Sequence, residues 1–567
     1  MKEHTKKVFC AFLSIFIAIA LVVSAGTARA ASFRPEKSTD GAVIATSKVA
    51  TEAGRRVLRE GGNAVDAAVA VGYTMAVTHP VAGNLGGGGF AIIRTADGKI
   101  YSLDFREMAP GKATRTMYLD AAGNVIPRLS LDGYLAAGVP GTVAGMSAML
   151  DRFGTKKLSD LIQPGVGYAE KGFVISARNG ETFAEHKNRL SKYASSRKYF
   201  LKPGGSAYKE GDVLVQKDLA RTLRLIAKQG SKAFYEGPIA ELIEKDMKAN
   251  GGIMTKEDLK GYKPIWREPV RGTYRGCEII SMGPPSSGGT HIIQMLNTLE
   301  SYDVKAMGHN SAAAVNVMAE AMRFAYADRS EYMGDPDFVK VPVDILTSKS
   351  YAQRLRSRIR QGTATPSDQV RPGTSFAEGT NTTHYSVVDR SGNAVVVTYT
   401  INDYYGSAAA VDGAGFLLNN EMDDFAIKPG VPNLYGLLGG DANAVEPYKR
   451  PLSSMSPTIV LKDGQVYFVL GSAGGSRIIT TVLQVILNVV DHGMTIREAV
   501  DAPRVHLQWI PDELRIEKNG LSADTIEKLA GMGYKVQVRG NMGDVNAIMV
   551  DPKTRVYLIA SDPRNEF

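Results

Sequence analysis

Thr382 heads the stretch "TTHYSVVDRSGNAVVVTYTIN", residues 382–402, directly after the loose segment "RQGTATPSDQVRPGTSFAEGTN". A threonine hydroxyl is a weak nucleophile unless a base stands beside it. Cutting the chain between Asn381 and Thr382 creates that base on the same residue, because a new α-amino group titrates near pH 8 and can accept the hydroxyl proton. A polar linker rich in Pro, Gly and Ser gives the cut end room to move away. The hairpin alone fits a plain strand threonine as well.

Three further stretches carry groups that suit an amide substrate. In "FVLGSAGGSRIITTVLQ" a strand ends at about Gly471 and a helix starts near Arg477, so the Gly474 and Gly475 N–H groups lie close to a helix N-terminus and suit a developing oxyanion. A phosphate would fit the same shape, but the Lys-Ser/Thr of a P-loop is missing. "RPLSSMSPTIV" offers the Ser453 and Ser454 hydroxyls, and "NNEMDDF" offers Glu421, Asp423 and Asp424. Acids bind an ammonium group, and hydroxyls with an arginine bind a carboxylate. Together they fit an amino acid zwitterion; singly, they also fit turn serines and solvated acids. Arg106 ends the strand "YSLDFRE" on its more polar face, with Ser102 and Asp104, where an exposed or salt-bridged strand end is the competing account.

These groups must be held by a mixture of helices and strands. "GAVIAT" reads as a strand, and "SKVATEAGRRVLREGG" and "NAVDAAVAVGYTMAVTHP" as helices, the second capped by Asn63 and stopped before Pro80. Residues 150–350 read as mostly helical, with Leu219, Leu223 and Ile226 on one helix face. Beyond the linker the chain turns to strands, with a capping box at Thr495 and Glu498 and a last hairpin in "NAIMVDPKTRVYLIAS". The mixture predicts an α+β fold, with antiparallel sheet between helical layers.

The 567 residues, 44% hydrophobic and 22% charged, are enough for one large or two medium globular domains. Residues 1–30 read as a secretory signal: Lys2, Lys6 and Lys7, an apolar run, then "SAGTARA" with cleavage after Ala30. Of the formal charge of +9 this leader carries +3, leaving +6 scattered among acids with no nucleic-acid stripe. Cys277 is the one cysteine left after cleavage, so no internal disulfide forms, and it reads as a small buried hydrophobe. The eight histidines form no zinc motif.

The motifs "TTHYSVVD…GNAVVVTYTIN", "FLLNNEMDDF", "GDANAVEPYKRPLSSMSPTIV", "GSAGGSRIITTVLQ" and "LDFREMAPGKATR" together resemble γ-glutamyltranspeptidase of the bacterial periplasmic kind, over essentially the whole mature chain. The resemblance implies an N-terminal-nucleophile hydrolase with a four-layer αββα sandwich. It implies self-cleavage into a large subunit, 31–381, and a small subunit, 382–567, that stay together as a heterodimer. Thr382 then resembles the nucleophile and Thr400 the residue that orients its free end. Arg106, Ser453 and Ser454 hold the donor's α-carboxylate; Asn402, Glu421 and Asp424 hold its α-amino group; Gly474 and Gly475 form the oxyanion hole. "GVPNLYGLLGGDANAVEPYKRP" resembles the lid loop, with Tyr435 as its gate. The implied substrates are glutathione or similar γ-glutamyl compounds, with water, amino acids or peptides as acceptors and no metal or organic cofactor. Two departures stand out: Ala473 where the family commonly has proline, and Asp403, Tyr404 and Tyr405 after Asn402. The rival readings are a related acylase for glutaryl or cephalosporin-type side chains and a secreted amino-acid- or peptide-binding protein without turnover.

Overall fold

A computed structural model describes residues 34–370 and 382–565. The leader expected over 1–30 and the Asn381 side of the expected cut lie outside these residues. Two antiparallel sheets face each other. The first has six strands in the order Ala42–Ala45, Thr383–Val388, Ala394–Thr400, Gly88–Arg94, Ile100–Phe105 and Ile265–Arg267. The second has seven: Glu36–Ser38, Tyr557–Ser561, Asp544–Val550, Gln465–Ala473, Thr458–Lys462, Cys277–Ser281 and Val270–Tyr274. Helices Lys48–Arg59, Ala64–Thr78 and Thr142–Phe153 cover the outer side of the first sheet; Gly288–Leu299 and Arg477–Val490 cover the second. This is the αββα sandwich that the family resemblance implies.

Side-chain alternation builds it. In Ala394–Thr400 every residue is buried. Val395, Val397 and Tyr399 enter the core under the first helical layer, while Ala394 and Val396 enter the core between the sheets. Such strands read as continuous apolar runs because both faces are covered. The same parity points Thr398 and Thr400 between the sheets, and His384 with them. The His384 ring lies against the backbone of Gly471, where a β-carbon would stand 2.3 Å from it. Glycine is therefore required there for the two sheets to approach.

Local signals account for most elements. Asn63 caps its helix with a full capping box, and Thr495 with Glu498 does the same for Ile496–Asp501. Leu219, Leu223 and Ile226 are buried on one face of Lys217–Gln229, and Cys277 is buried. Five elements differ from expectation. Strands Ile265–Arg267, Val270–Tyr274 and Cys277–Ser281 fall inside the stretch read as mostly helical; they are three to five residues long, too short for a clear period. The strand before the glycine turn runs to Ala473 rather than Gly471, since Ala473 still pairs with Asp544. The first hairpin strand begins at Thr383, one residue later than expected. Among the described residues no helix is long and apolar enough to cross a membrane.

Candidate active site

Thr383 pairs with Tyr399 in the hairpin ladder. Carried one residue further, that register sets Thr382 opposite Thr400. Both are buried and line one small chamber. The Thr400 hydroxyl accepts a hydrogen bond from the Asn402 N–H at 2.8 Å. This contact bends the chain away from the strand, and Asn402 takes a left-handed φ of 72°, a conformation asparagine tolerates better than most residues.

Arg106, Glu421, Asp424, Asn402, Ser453, Ser454, Tyr435 and Gly475 line the same chamber. Arg106 is fully buried, not an exposed strand end. The polar strand face it continues is buried too: Asp104 accepts from Arg450 Nη1 at 2.6 Å and Arg267 Nε at 2.8 Å. The Arg106 guanidinium donates to the Pro451 carbonyl at 3.1 Å, to the Leu452 carbonyl at 3.4 Å, and to the carboxylates of Glu421 and Asp424. Burial works against its charge, but Glu421, Asp424 and Glu107 more than offset that and hold its proton firmly. For Glu421 and Asp424 burial wins over Arg106, and both carboxyls sit above the ordinary range. Glu107, beside them, is pushed by burial up to about 7.

Among the acceptors of the chamber-lining residues, Asn402 Oδ1 and Glu421 Oε2 have no hydrogen-bond partner among the described residues. Buried acceptors of this kind call for a donor, and both belong to chamber-lining residues. Asp423 departs from its neighbours. It accepts from the Ser130 hydroxyl and the Leu434 N–H, both at 2.7 Å, so it anchors the loop over the chamber and does not line it.

That loop closes the site. Tyr435 donates from its hydroxyl to the Asn402 carbonyl at 2.7 Å, and Gln508 Nε2 donates to the Tyr435 carbonyl at 3.1 Å. The volume of the chamber is about 20 Å³, room for about one water. Gly474 and Gly475 have φ of 129° and 57°, values that favour glycine. Ala473 is the last ladder-paired residue before this turn, so sheet pairing rather than a proline ring fixes the approach to it. Tyr404 and Tyr405 diverge: Tyr405 is buried with its hydroxyl 2.9 Å from Thr182, and Tyr404 stacks near His186.

The match to known proteins is direct. A sequence profile described as gamma-glutamyltranspeptidase covers residues 50–566. The glutathione hydrolase proenzyme of Escherichia coli (strain K12) is 53% identical over 535 residues, 94% of this chain and 92% of that protein. The chain belongs to the γ-glutamyltranspeptidase family. Its enzyme class is that of the family, as the motifs predict. Among solved structures, the Helicobacter pylori γ-glutamyltranspeptidase is 58% identical over 60% of this chain and 97% of that one, with a TM-score of 0.59. The cephalosporin acylase from Bacillus halodurans is 25% identical over 95% of this chain and 97% of that one, with a TM-score of 0.83.

Arg329 is a chamber residue that sequence reasoning missed. It lies on the long helix Ala312–Tyr332, where its type and spacing resemble any helical arginine. Ser287, from "PPSSGG", was missed as well; its N–H and hydroxyl both donate to the Ser453 carbonyl, at 2.9 and 2.8 Å.

Proposed function

We propose that Thr382, freed by cleavage after Asn381, is the nucleophile of a γ-glutamyl transfer. Its hydroxyl oxygen attacks the γ-amide carbon of glutathione or a similar donor, and the proton passes to its own α-amino group. The oxyanion meets the Gly474 and Gly475 N–H groups. The C–N bond breaks, the α-ammonium returns its proton to the leaving amine, and a γ-glutamyl ester remains. Water or the amine of an amino acid or peptide then attacks the ester carbonyl and gives its proton to the α-amino group; the ester C–O bond breaks, and that proton passes to the leaving Thr382 oxygen and restores the hydroxyl. Thr400, opposite Thr382, hydrogen-bonds to its freed end and helps orient the nucleophile. Arg106, Ser453 and Ser454 face the donor's α-carboxylate; Asn402, Glu421 and Asp424 face its α-amino group; Tyr435 gates entry.

The strongest support is the convergence of Thr382 with buried acids, hydroxyls and unpartnered acceptors in one small chamber. An acylase for glutaryl side chains has no use for Glu421 and Asp424, and a binding protein has no use for a cut at Thr382. The relative in Escherichia coli is named a proenzyme, in keeping with large and small subunits of 31–381 and 382–567. Export by the 1–30 leader would place the enzyme in the periplasm.

The test is a denaturing gel of the purified protein with N-terminal sequencing of the smaller band. Two bands are expected, the smaller beginning Thr-Thr-His-Tyr. One uncut band with full activity on γ-glutamyl-p-nitroanilide would overturn the mechanism.

A further inference from the structure

Gln508 joins the loop over the chamber to the glycine turn. It is buried, and both ends of its amide are used. Nε2 donates to the Tyr435 carbonyl at 3.1 Å and to the Gly436 carbonyl at 3.2 Å. Oε1 accepts from the Ser476 hydroxyl at 2.7 Å. Ser476 follows Gly475 directly and is the N-cap residue of helix Arg477–Val490. Carbonyls cannot donate, so the amide has one orientation, nitrogen toward the loop and oxygen toward the turn. The next residue faces the other way. Trp509 is bulky, yet it takes a φ of 68°, a left-handed value that such a residue holds only under constraint. Ser367 supplies the constraint. The Trp509 indole N–H donates to the Ser367 carbonyl at 3.0 Å, the Ser367 hydroxyl donates to the Trp509 carbonyl at 2.7 Å, and the Ser367 N–H donates to Asp512 at 3.0 Å. The backbone that carries Gln508 is thereby fixed.

We propose that Gln508 is a positioning residue that sets the oxyanion turn through Ser476 and the gate through the Tyr435 and Gly436 carbonyls, so that one amide holds both in register. This rests on reading Gly474 and Gly475 as oxyanion donors and Tyr435 as the gate. Oxyanion donors meet a charge that forms only during the reaction, and a small shift in their position is costly in rate. Two adjacent glycines give the turn no side chain of its own by which to be held, and their backbone is permissive. Ser476 is the first residue after them that can anchor it. Its carbonyl accepts from the Tyr326 hydroxyl, and its own hydroxyl is tied to Gln508. A displacement of the gate loop therefore reaches the turn through a single side chain.

The competing account is structural: Gln508 merely fills the core. Steady-state kinetics of the processed enzyme on γ-glutamyl-p-nitroanilide separate the two. Gln508→Met keeps the length of the side chain and removes both bonds. It should lower kcat by about ten- to a hundredfold and shift KM as well. Ser476→Ala removes the bond to the turn and leaves those to the gate. It should lower kcat in the same way, with KM within about twofold of the parent. Ser476→Thr, which keeps the hydroxyl, should retain more of kcat than Ser476→Ala. In the Gln508→Met background the bond is already gone, so Ser476→Ala should cost less than about twofold further. Parent-like kcat in Ser476→Ala, or losses that simply multiply in the double variant, would overturn the proposal. Should Gln508→Met fail to mature, Ser476→Ala against Ser476→Thr decides alone, by whether kcat falls without KM and returns with the hydroxyl. A parent enzyme inactive on this donor would instead sink the functional reading itself.

Discussion

Gly475 and Tyr435 share a space that admits no β-carbon. One built on Gly475 would stand 2.3 Å from Tyr435 Cδ1 and 2.5 Å from Cε1. The ring is in turn held over the turn by the bond from its hydroxyl to the Asn402 carbonyl. The proposed oxyanion donor and the proposed gate are therefore in direct contact, and a change at one is felt at the other.

Gly475→Ala tests this contact. The substitution strains a backbone at φ 57° and drives the ring outward. If Gly475 is an oxyanion donor, kcat should fall by about a hundredfold or more. In a Tyr435→Ala background the steric part of the loss is gone, so the same substitution should cost visibly less. Strictly additive losses in kcat would mean that the ring contact has no bearing on the turn.

Asp424 links the chamber to the loop above it. It accepts from Arg106 on one side and from Asn433 Nδ2, at 3.0 Å, on the other. Asp424→Ala should therefore penalise γ-glutamyl donors far more than glutaryl ones. Loss of a charge-assisted contact to the α-ammonium is expected to cost about ten- to a hundredfold in kcat/KM. Equal losses on the two anilides would show that Asp424 does not read the amino group.

The pH dependence of stability offers a test away from turnover. His384 lies fully buried between the sheets, within 2.8 Å of the Thr398 hydroxyl and 3.0 Å of the Ser386 hydroxyl. Burial lowers its pKa to about 3, against about 6.5 when unfolded. Between these values the unfolded chain binds a proton and the folded one does not. Its contribution is complete above about pH 6.5 and is lost as pH falls toward 3, by up to about 1.4 kcal/mol per pH unit. His384→Gln removes that titration. The variant should be less stable than the parent at pH 7, and the gap should narrow at pH 5, read as urea midpoints. A gap that stays constant or widens would show that His384 is charged in the folded state.

How much of this was legible beforehand depends on whether a residue's neighbours lie near it in sequence. The Thr382 hairpin, the capping boxes and the glycine turn are local, and their residues announced them. The four-layer sandwich followed from the resemblance rather than from periodicity, because strands buried on both faces lose their alternation. Arg106 could be placed on a polar strand face, but not shown to be buried, since its partners are more than 300 residues away. Asp423 and Asp424 are adjacent in sequence and identical in type; only the fold sends one to the loop and the other to the chamber. Arg329 carried no signal at all, because only the fold brings its helix to the chamber.

Substitutions at Thr382 separate processing from turnover. Cutting the chain and attacking the donor both need a hydroxyl here. Thr382→Ala has none, so its precursor should remain uncut and inactive. Thr382→Ser keeps the oxygen but loses the methyl that restricts χ1. Thr382 sits at the mouth of the ladder, opposite Thr400 and just ahead of the first strand residue, Thr383. A serine hydroxyl spends less time aimed at the carbonyl carbon, and small misplacements of a nucleophile are costly in rate. Serine should cut slowly and, once cut, release p-nitroaniline more slowly than the parent. The measurement is a time course of fragment appearance beside p-nitroaniline release from γ-glutamyl-p-nitroanilide. An alanine variant that matures normally, or keeps near-parent turnover, would remove Thr382 from the mechanism, and the chamber would need another nucleophile.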